Sequence, residues 1–159
     1  PAPSLQMWRD YFKNAQIFGI DAAERYQYNG DRIISFLGDH ESVDDYNSFI
    51  KSHGSNFDII IDDGAHTMEA QQKALKTLLT HVRSGGFYVI EDIGTSYMGK
   101  FTKEGDTLTC LLMKDIMDQE NEIVDTCYIS KDELLEIRNK VDYSYNNYID
   151  NNICLFKVM

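Results

Sequence analysis

Proline is confined to the first three residues, as Pro1 and Pro3, so none interrupts an element further along the 159-residue chain. No apolar run approaches the ~20 residues needed to span a bilayer. The longest candidates, such as Phe87 to Ile90, are strand-sized. No basic segment leads into an apolar stretch, so no signal peptide is visible. No initiator methionine opens the sequence, which suggests a processed or excised piece. Basic residues are scarce: 15 Lys and Arg stand against 26 Asp and Glu, a net charge of −11, without any basic cluster. Nucleic acid and anionic membrane are therefore poor partners, whereas a neutral or cationic ligand or a metal ion suits this field. The three cysteines, Cys110, Cys127 and Cys154, are odd in number and widely spaced among apolar residues. They read as reduced core thiols of a cytoplasmic protein.

What remains is a globular composition, 43% hydrophobic and 26% charged, with a length that suits one domain over residues 1–159. Ser4 is placed to cap a helix from Leu5 to about Tyr11, with Leu5, Trp8, Tyr11 and Phe12 at helical spacing. Strand-like runs follow at Gln16–Ile20 and Arg32–Leu37, then a helix over Ser42–Lys51. Phe57–Ile61 is apolar except for Asp58, the pattern of a strand covered on both faces. A helix is expected from Met68 to Val82, ended by Ser84-Gly85-Gly86, and a fourth strand over Phe87–Ile90. Ile93–Asp106 has little periodicity. Leu108–Met117 is helical in pattern, Ile123–Ile129 strand-like, and Ser130–Glu133 a capping box opening a helix to about Lys140. Val141–Ile149 and Ile153–Val158 read as a hairpin around a polar turn at Asp150-Asn151-Asn152.

Strands alternating with helices imply parallel βαβ units. The fold class is α/β, a Rossmann-like, doubly wound and mostly parallel sheet closed by a C-terminal antiparallel hairpin. Ligands of such sheets bind at the carboxyl ends of the strands. Here all four parallel strands run into acid: Asp21, Asp39, Asp62-Asp63 and Glu91-Asp92. Gathered carboxylates repel one another unless a cation offsets them. Asp63, Glu91 and Asp92, from neighbouring strand ends, are an all-oxygen set suited to Mg²⁺, Mn²⁺ or Ca²⁺. Equally simple is a set of carboxylates facing the dipole of the next helix. His66, three residues beyond Asp63, is placed to take a proton from a hydroxyl held at a metal, or merely to cap a helix start. His40, His53 and His81 lack such neighbours. Asp21 stands where nucleotide-binding α/β folds put a ribose acceptor, and Asp39 where an adenine is bounded. Phe36 and Tyr46 read as core.

Several segments together resemble a family. Ser4 to Phe12 and Asn14 to Asp21, Gly38-Asp39, Asp58 to His66, and Gly85 to Asp92 followed by Thr95-Ser96-Tyr97 are similar to class I S-adenosylmethionine (SAM) methyltransferases, and most of all to the metal-dependent sugar O-methyltransferases of the macrocin and mycinamicin type. The likeness covers Ser4 to about Tyr97. It implies that Asp63, Glu91 and Asp92 hold Mg²⁺ and that His66 is the general base. Asp21 would bind the SAM ribose, with Gly38 and Asp39 beside the adenine and Asp62 facing the cofactor. The acceptor would be a sugar hydroxyl of a small molecule or glycan, with Tyr97 contacting substrate. Self-association stays open. Pro1-Ala2-Pro3 stands where such enzymes have the first strand and glycine-rich turn, so the expected sheet has a gap in its middle. Two other readings remain: a Mg²⁺-dependent phosphotransfer or phosphoesterase domain, which lacks a glycine-rich phosphate loop here, and a non-catalytic binding module.

Overall fold

Two sheets, rather than one continuous sheet, carry the strands. The computed structural model describes residues 2–147 and 153–159. Strands β1 (Ile17–Asp21) and β2 (Ile33–Leu37) pair in parallel, from Ile17 opposite Ile33 to Asp21 opposite Leu37. Strands β3 (Phe57–Asp62), β4 (Val82–Ile90), β5 (Val141–Asn147) and β6 (Ile153–Val158) form a second sheet in the order β3-β4-β6-β5. There β3 and β4 are parallel, while β6 runs antiparallel to both neighbours. The α/β class and the terminal antiparallel pair are as the sequence implies, and the anticipated gap lies between β1 and β3. The expected turn at Asp150-Asn151-Asn152 lies outside the described residues.

Helices α3 (Met68–Leu78), α4 (Thr109–Met117) and α5 (Lys131–Lys140) cover one face of the larger sheet. Cys154, Phe156 and Val158 alternate inward along β6, and they meet Tyr88 and Ile90 of β4 with Leu75, Met113 and Leu134 of the helices. Full burial of each such side chain contributes about 1.5–3 kcal/mol. Helix α2 (Val43–His53), capped by Ser42, links the sheets through an aromatic cluster. Phe49 packs on Phe18 of β1, Phe36 of β2 and Phe57 of β3, with ring centroids 5.7–5.9 Å apart. Phe36 and Tyr46 are thus packed residues, and His53 belongs to the same cluster. Among the described residues no helix is long and apolar enough to cross a membrane.

Several local expectations are corrected. Helix α1 (Pro3–Tyr11) starts after Ala2, so Ser4 lies inside it and caps nothing; Pro3 suits a first turn, where no N–H is needed. The helix expected to reach Val82 ends at Leu78 with a 3₁₀ turn, Leu79–His81, and β4 begins at Val82. Ser84-Gly85-Gly86 therefore sits within the strand. Gly85 has φ +75°, and a Cβ on Gly86 would come within 2.7 Å of the Asp58 carbonyl oxygen. These glycines accommodate a shift in the β3–β4 register between Phe57 and Ile59. Ile59 is 39% exposed, so β3 is not covered on both faces. Ile123–Ile129 forms no strand; Ile123 and Ile129 are buried anchors of an irregular segment. The three cysteines are free, but Cys127 is exposed and not in the core.

Candidate active site

The ends of β3 and β4 lie side by side, with the Glu91 N–H donating to the Asp62 carbonyl oxygen at 2.9 Å. Beyond β3 the chain turns through Asp63 and Gly64 before Thr67 caps α3 by accepting from the Ala70 N–H. Beyond β4 it enters a 3₁₀ turn, Ile93–Tyr97. In both connections a non-glycine residue takes the left-handed conformation: His66 at φ 58° and Asp92 at φ 52°. Such geometry costs about 1–3 kcal/mol and persists only where the surroundings enforce it. It brings the His66 Nε2 to 3.7 Å from Asp63 Oδ1 and 3.6 Å from Asp92 Oδ2. One potential ligand atom from each of the three residues lies within 4.8 Å of the others.

The sequence grouped Asp63, Glu91 and Asp92 as ligands and set His66 apart. The structure draws His66 between Asp63 and Asp92, with Glu91 outside that triad but within its field. Burial raises the Glu91 pKa, the charges of Asp63 and Asp92 raise it further, and His66 opposes them. This is the repulsion a bound cation relieves. Asp62 lies one residue inside the strand. Its Oδ2 is buried without a partner, and burial pushes its pKa up to about 7, aided by the Asp63 charge and opposed by the Gly64 N–H. The His66 Nδ1 is also buried and unpartnered. Unpaired buried polar atoms are costly, and these two stand beside the cluster as groups a ligand could satisfy.

Between β1 and β3 runs a groove of about 1140 Å³, lined by Leu5, Asp21, His40, Asp62, Asp63 and Glu91 among others. It opens onto the acidic cluster. Asp21 reaches it, with Oδ1 accepting the Ala23 N–H at 2.7 Å. Gly38 is buried behind it and donates its N–H to the Asp21 carbonyl oxygen; a Cβ there would meet Ile20 and Phe36 at 3.2 Å. Asp39 is exposed, its Oδ1 taken by the Glu41 N–H, and it does not line the groove. His40, treated as structural from the sequence, does line it, and the Tyr46 hydroxyl donates to the His40 carbonyl oxygen. Tyr97 is exposed at the end of the 3₁₀ turn.

The loop that follows Tyr97 is fastened over the start of α3. The Met68 N–H donates to the Phe101 carbonyl oxygen, Lys103 pairs with Glu69, and the Phe101 ring stands edge-on to the His66 ring. Sequence reasoning missed two supports of the cluster. Gln71, buried in α3, donates through Nε2 to the Glu91 carbonyl oxygen at 3.2 Å, and the Thr95 hydroxyl donates to the His66 carbonyl oxygen at 2.8 Å. A buried glutamine on the apolar side of a helix was the available signal for the first.

No family model matches the chain. Over 120 residues, 72% of its length, it is 40% identical to the 8-demethyl-8-(2-methoxy-alpha-L-rhamnosyl)-tetracenomycin-C 3'-O-methyltransferase of Streptomyces olivaceus. Over the same length it is 34% identical to the mycinamicin VI 2''-O-methyltransferase of Micromonospora griseorubida and 36% identical to the demethylmacrocin O-methyltransferase of Streptomyces fradiae. The matched region spans 30% of each of these relatives. Among solved structures, the MycE methyltransferase of the mycinamycin biosynthetic pathway, in complex with Mg and SAH, superposes over 98% of this chain and 39% of its own, with a TM-score of 0.79 and 26% identity. A second MycE structure, which also holds mycinamycin VI, gives a TM-score of 0.75.

Proposed function

We propose that this chain, a homologue of the macrocin- and mycinamicin-type sugar O-methyltransferases, is the catalytic domain of a SAM-dependent, Mg²⁺-assisted O-methyltransferase acting on a sugar hydroxyl of a small-molecule glycoside. The observation that carries the proposal is the convergence of Asp63, His66 and Asp92 within 4.8 Å, beside a groove lined by Asp21, Asp62, Asp63 and Glu91.

The donor set fits a hard divalent ion. Carboxylate oxygens from Asp63, Glu91 and Asp92 would hold Mg²⁺, with Mn²⁺ or Ca²⁺ as substitutes. The raised pKa of Glu91 fits a site that awaits positive charge. The groove exceeds the ~300–1,000 Å³ of an ordinary ligand pocket. Its walls include the β1 and β3 edges that face each other without pairing. Residues 1–159 belong to a single methyltransferase domain. Asp21 would accept from the ribose hydroxyls of SAM, with Gly38 shaping the strand end behind it and Asp62 facing the cofactor. Asp39 would bound the adenine from outside the groove. Free cysteines suit the reducing cytoplasm.

Bound SAM supplies an electrophilic methyl on a sulfonium, and Mg²⁺ lowers the pKa of a hydroxyl held beside it. His66 would accept the proton of the acceptor hydroxyl at Nε2 while that oxygen displaces the sulfonium sulfur from the methyl carbon, the sulfur leaving with the bonding pair. Asp63, Glu91 and Asp92 would hold the ion, and Tyr97 would border the acceptor side. Calorimetric SAM binding, and methyl transfer abolished by EDTA and restored by Mg²⁺, are the expected results. Phosphoester turnover without SAM affinity would replace the proposal with the phosphoryl reading, and an absence of both activities with no metal binding would leave a binding module.

A further inference from the structure

Two strained turns from different strands form the acidic cluster, and one side chain joins them. The Thr95 N–H donates to the Asp92 carbonyl oxygen at 2.9 Å, closing the turn in which Asp92 is left-handed. Its hydroxyl donates to the carbonyl oxygen of His66, the left-handed residue of the other turn, at 2.8 Å. Thr95 is 8% exposed, so water does not readily replace either bond. Its neighbours anchor it from beneath: Ile93 is buried, and the Ser96 hydroxyl accepts the Cys110 N–H at the start of α4.

We propose that Thr95 is a positioning residue that staples the His66 turn to the Asp92 turn and thereby sets the spacing of the divalent-cation site. The role rests on the metal-site reading above. The backbone bond alone would stabilise only its own turn. The hydroxyl bond crosses between turns 29 residues apart, and it fixes the peptide unit from which the imidazole projects. Gln71 performs the complementary task from α3 by holding the Glu91 carbonyl oxygen, so both faces of the cluster are braced from the helical side of the sheet. Supports that hydrogen-bond metal ligands typically alter affinity by about 10–100-fold when lost, and Thr95 acts one step further out, through the backbone of the Asp92 turn and its tie to the His66 turn, so the low end of that range applies.

Thr95→Val removes the hydroxyl at nearly constant shape, and Thr95→Ser keeps it. Mn²⁺ titration followed by electron paramagnetic resonance should show affinity about tenfold weaker for Thr95→Val and near wild type for Thr95→Ser. In metal-free protein, the NMR resonances of the His66 ring should move in Thr95→Val and return in Thr95→Ser. Far-ultraviolet circular dichroism checks folding. If a valine methyl against the His66 carbonyl oxygen unfolds the chain, Thr95→Ala gives the same two readings without it. A folded variant lacking the hydroxyl, with wild-type Mn²⁺ affinity and an unmoved His66 ring, overturns the proposal. Wild-type protein that binds no Mn²⁺ at millimolar concentration overturns the metal reading instead, and the cation-spacing role of Thr95 with it; the metal-free His66 spectra then show separately whether the staple itself exists.

Discussion

The His66 Nε2 lies 3.6 Å from the Asp92 Oδ2, and both residues hold left-handed backbone geometry at the ends of adjacent parallel strands. Neither is glycine, so each turn carries strain that a relaxed loop would shed. The strain aims an imidazole and a carboxylate, 26 residues apart in sequence, at a common point. Packing holds that geometry: Thr95 and Gln71 brace it from the helical side, and the Phe101 ring stands edge-on to the imidazole.

With His66 as the base, His66→Ala should lower the rate of methyl transfer by about 10²–10⁴-fold while leaving SAM affinity near wild type. Alanine is less at ease than histidine at a φ of 58°, so circular dichroism accompanies the rate to check that the turn holds. Single-turnover rates with excess enzyme isolate the chemical step. A near wild-type rate would remove His66 from the proton path.

Asp62 should make the metal-free protein less stable as pH rises. Its carboxyl is pushed up to about 7 by burial, above the usual value near 4, so the folded state binds this proton more tightly than the unfolded chain does. Its stabilising contribution is complete below the unfolded pKa and is lost as pH rises through about 7. Asp62→Asn should therefore raise the melting temperature at pH 8 and change it little at pH 4. Equal shifts at the two pH values would show that the buried charge is not the cause.

The acidic strand ends were legible because each follows a short apolar run, and parallel β-units bring such ends to one rim. Phe57–Ile61 leading into Asp62-Asp63 shows this plainly. The Ser130–Glu133 capping box was equally local, and it is present with both reciprocal bonds. Non-local features were not readable. Ile123–Ile129 has strand-like composition but no strand to pair with, and burial of its two terminal isoleucines governs its course. The membership of His66 in the Asp63–Asp92 triad depends on a backbone angle that residue type does not announce, and the Thr95 bond depends on two turns meeting in space.

Gly86 tests the reassigned start of β4. Helix termination would need only a glycine's freedom, whereas the structure needs the absence of a side chain against the Asp58 and Arg83 carbonyl oxygens, 2.7 and 2.9 Å from a built Cβ. Gly86→Ala should cost about 1–3 kcal/mol, read from urea unfolding, because two of the obstacles are backbone atoms, the Val82 side chain is equally close, and the strand must shift. Alanine tolerated without loss would favour the helix-terminating role.

Glu69 couples the loop after Tyr97 to α3, and it should impose an acid limit on that coupling. Hydrogen bonds from Lys103 and then Lys73 hold its carboxyl below the usual glutamate value. The folded state thus binds this proton less tightly than the unfolded chain does. The resulting stabilisation is present above the unfolded value of ~4.3 and disappears as pH falls through the lowered folded value. Lys103 is largely exposed, so solvent screening keeps the contribution of the pair small. Glu69→Gln should slightly flatten the acid side of the stability profile. It should also loosen residues 98–106, because Lys103 then loses its anchor while the Phe101 carbonyl bond to Met68 and the Tyr128 hydroxyl bond to Asp106 remain. Limited proteolysis at neutral pH should accordingly cut the variant within this loop sooner than wild type, and adding salt should narrow the difference by weakening the wild-type pair. Equal cleavage rates in low salt would show that the loop is held by its backbone contacts alone.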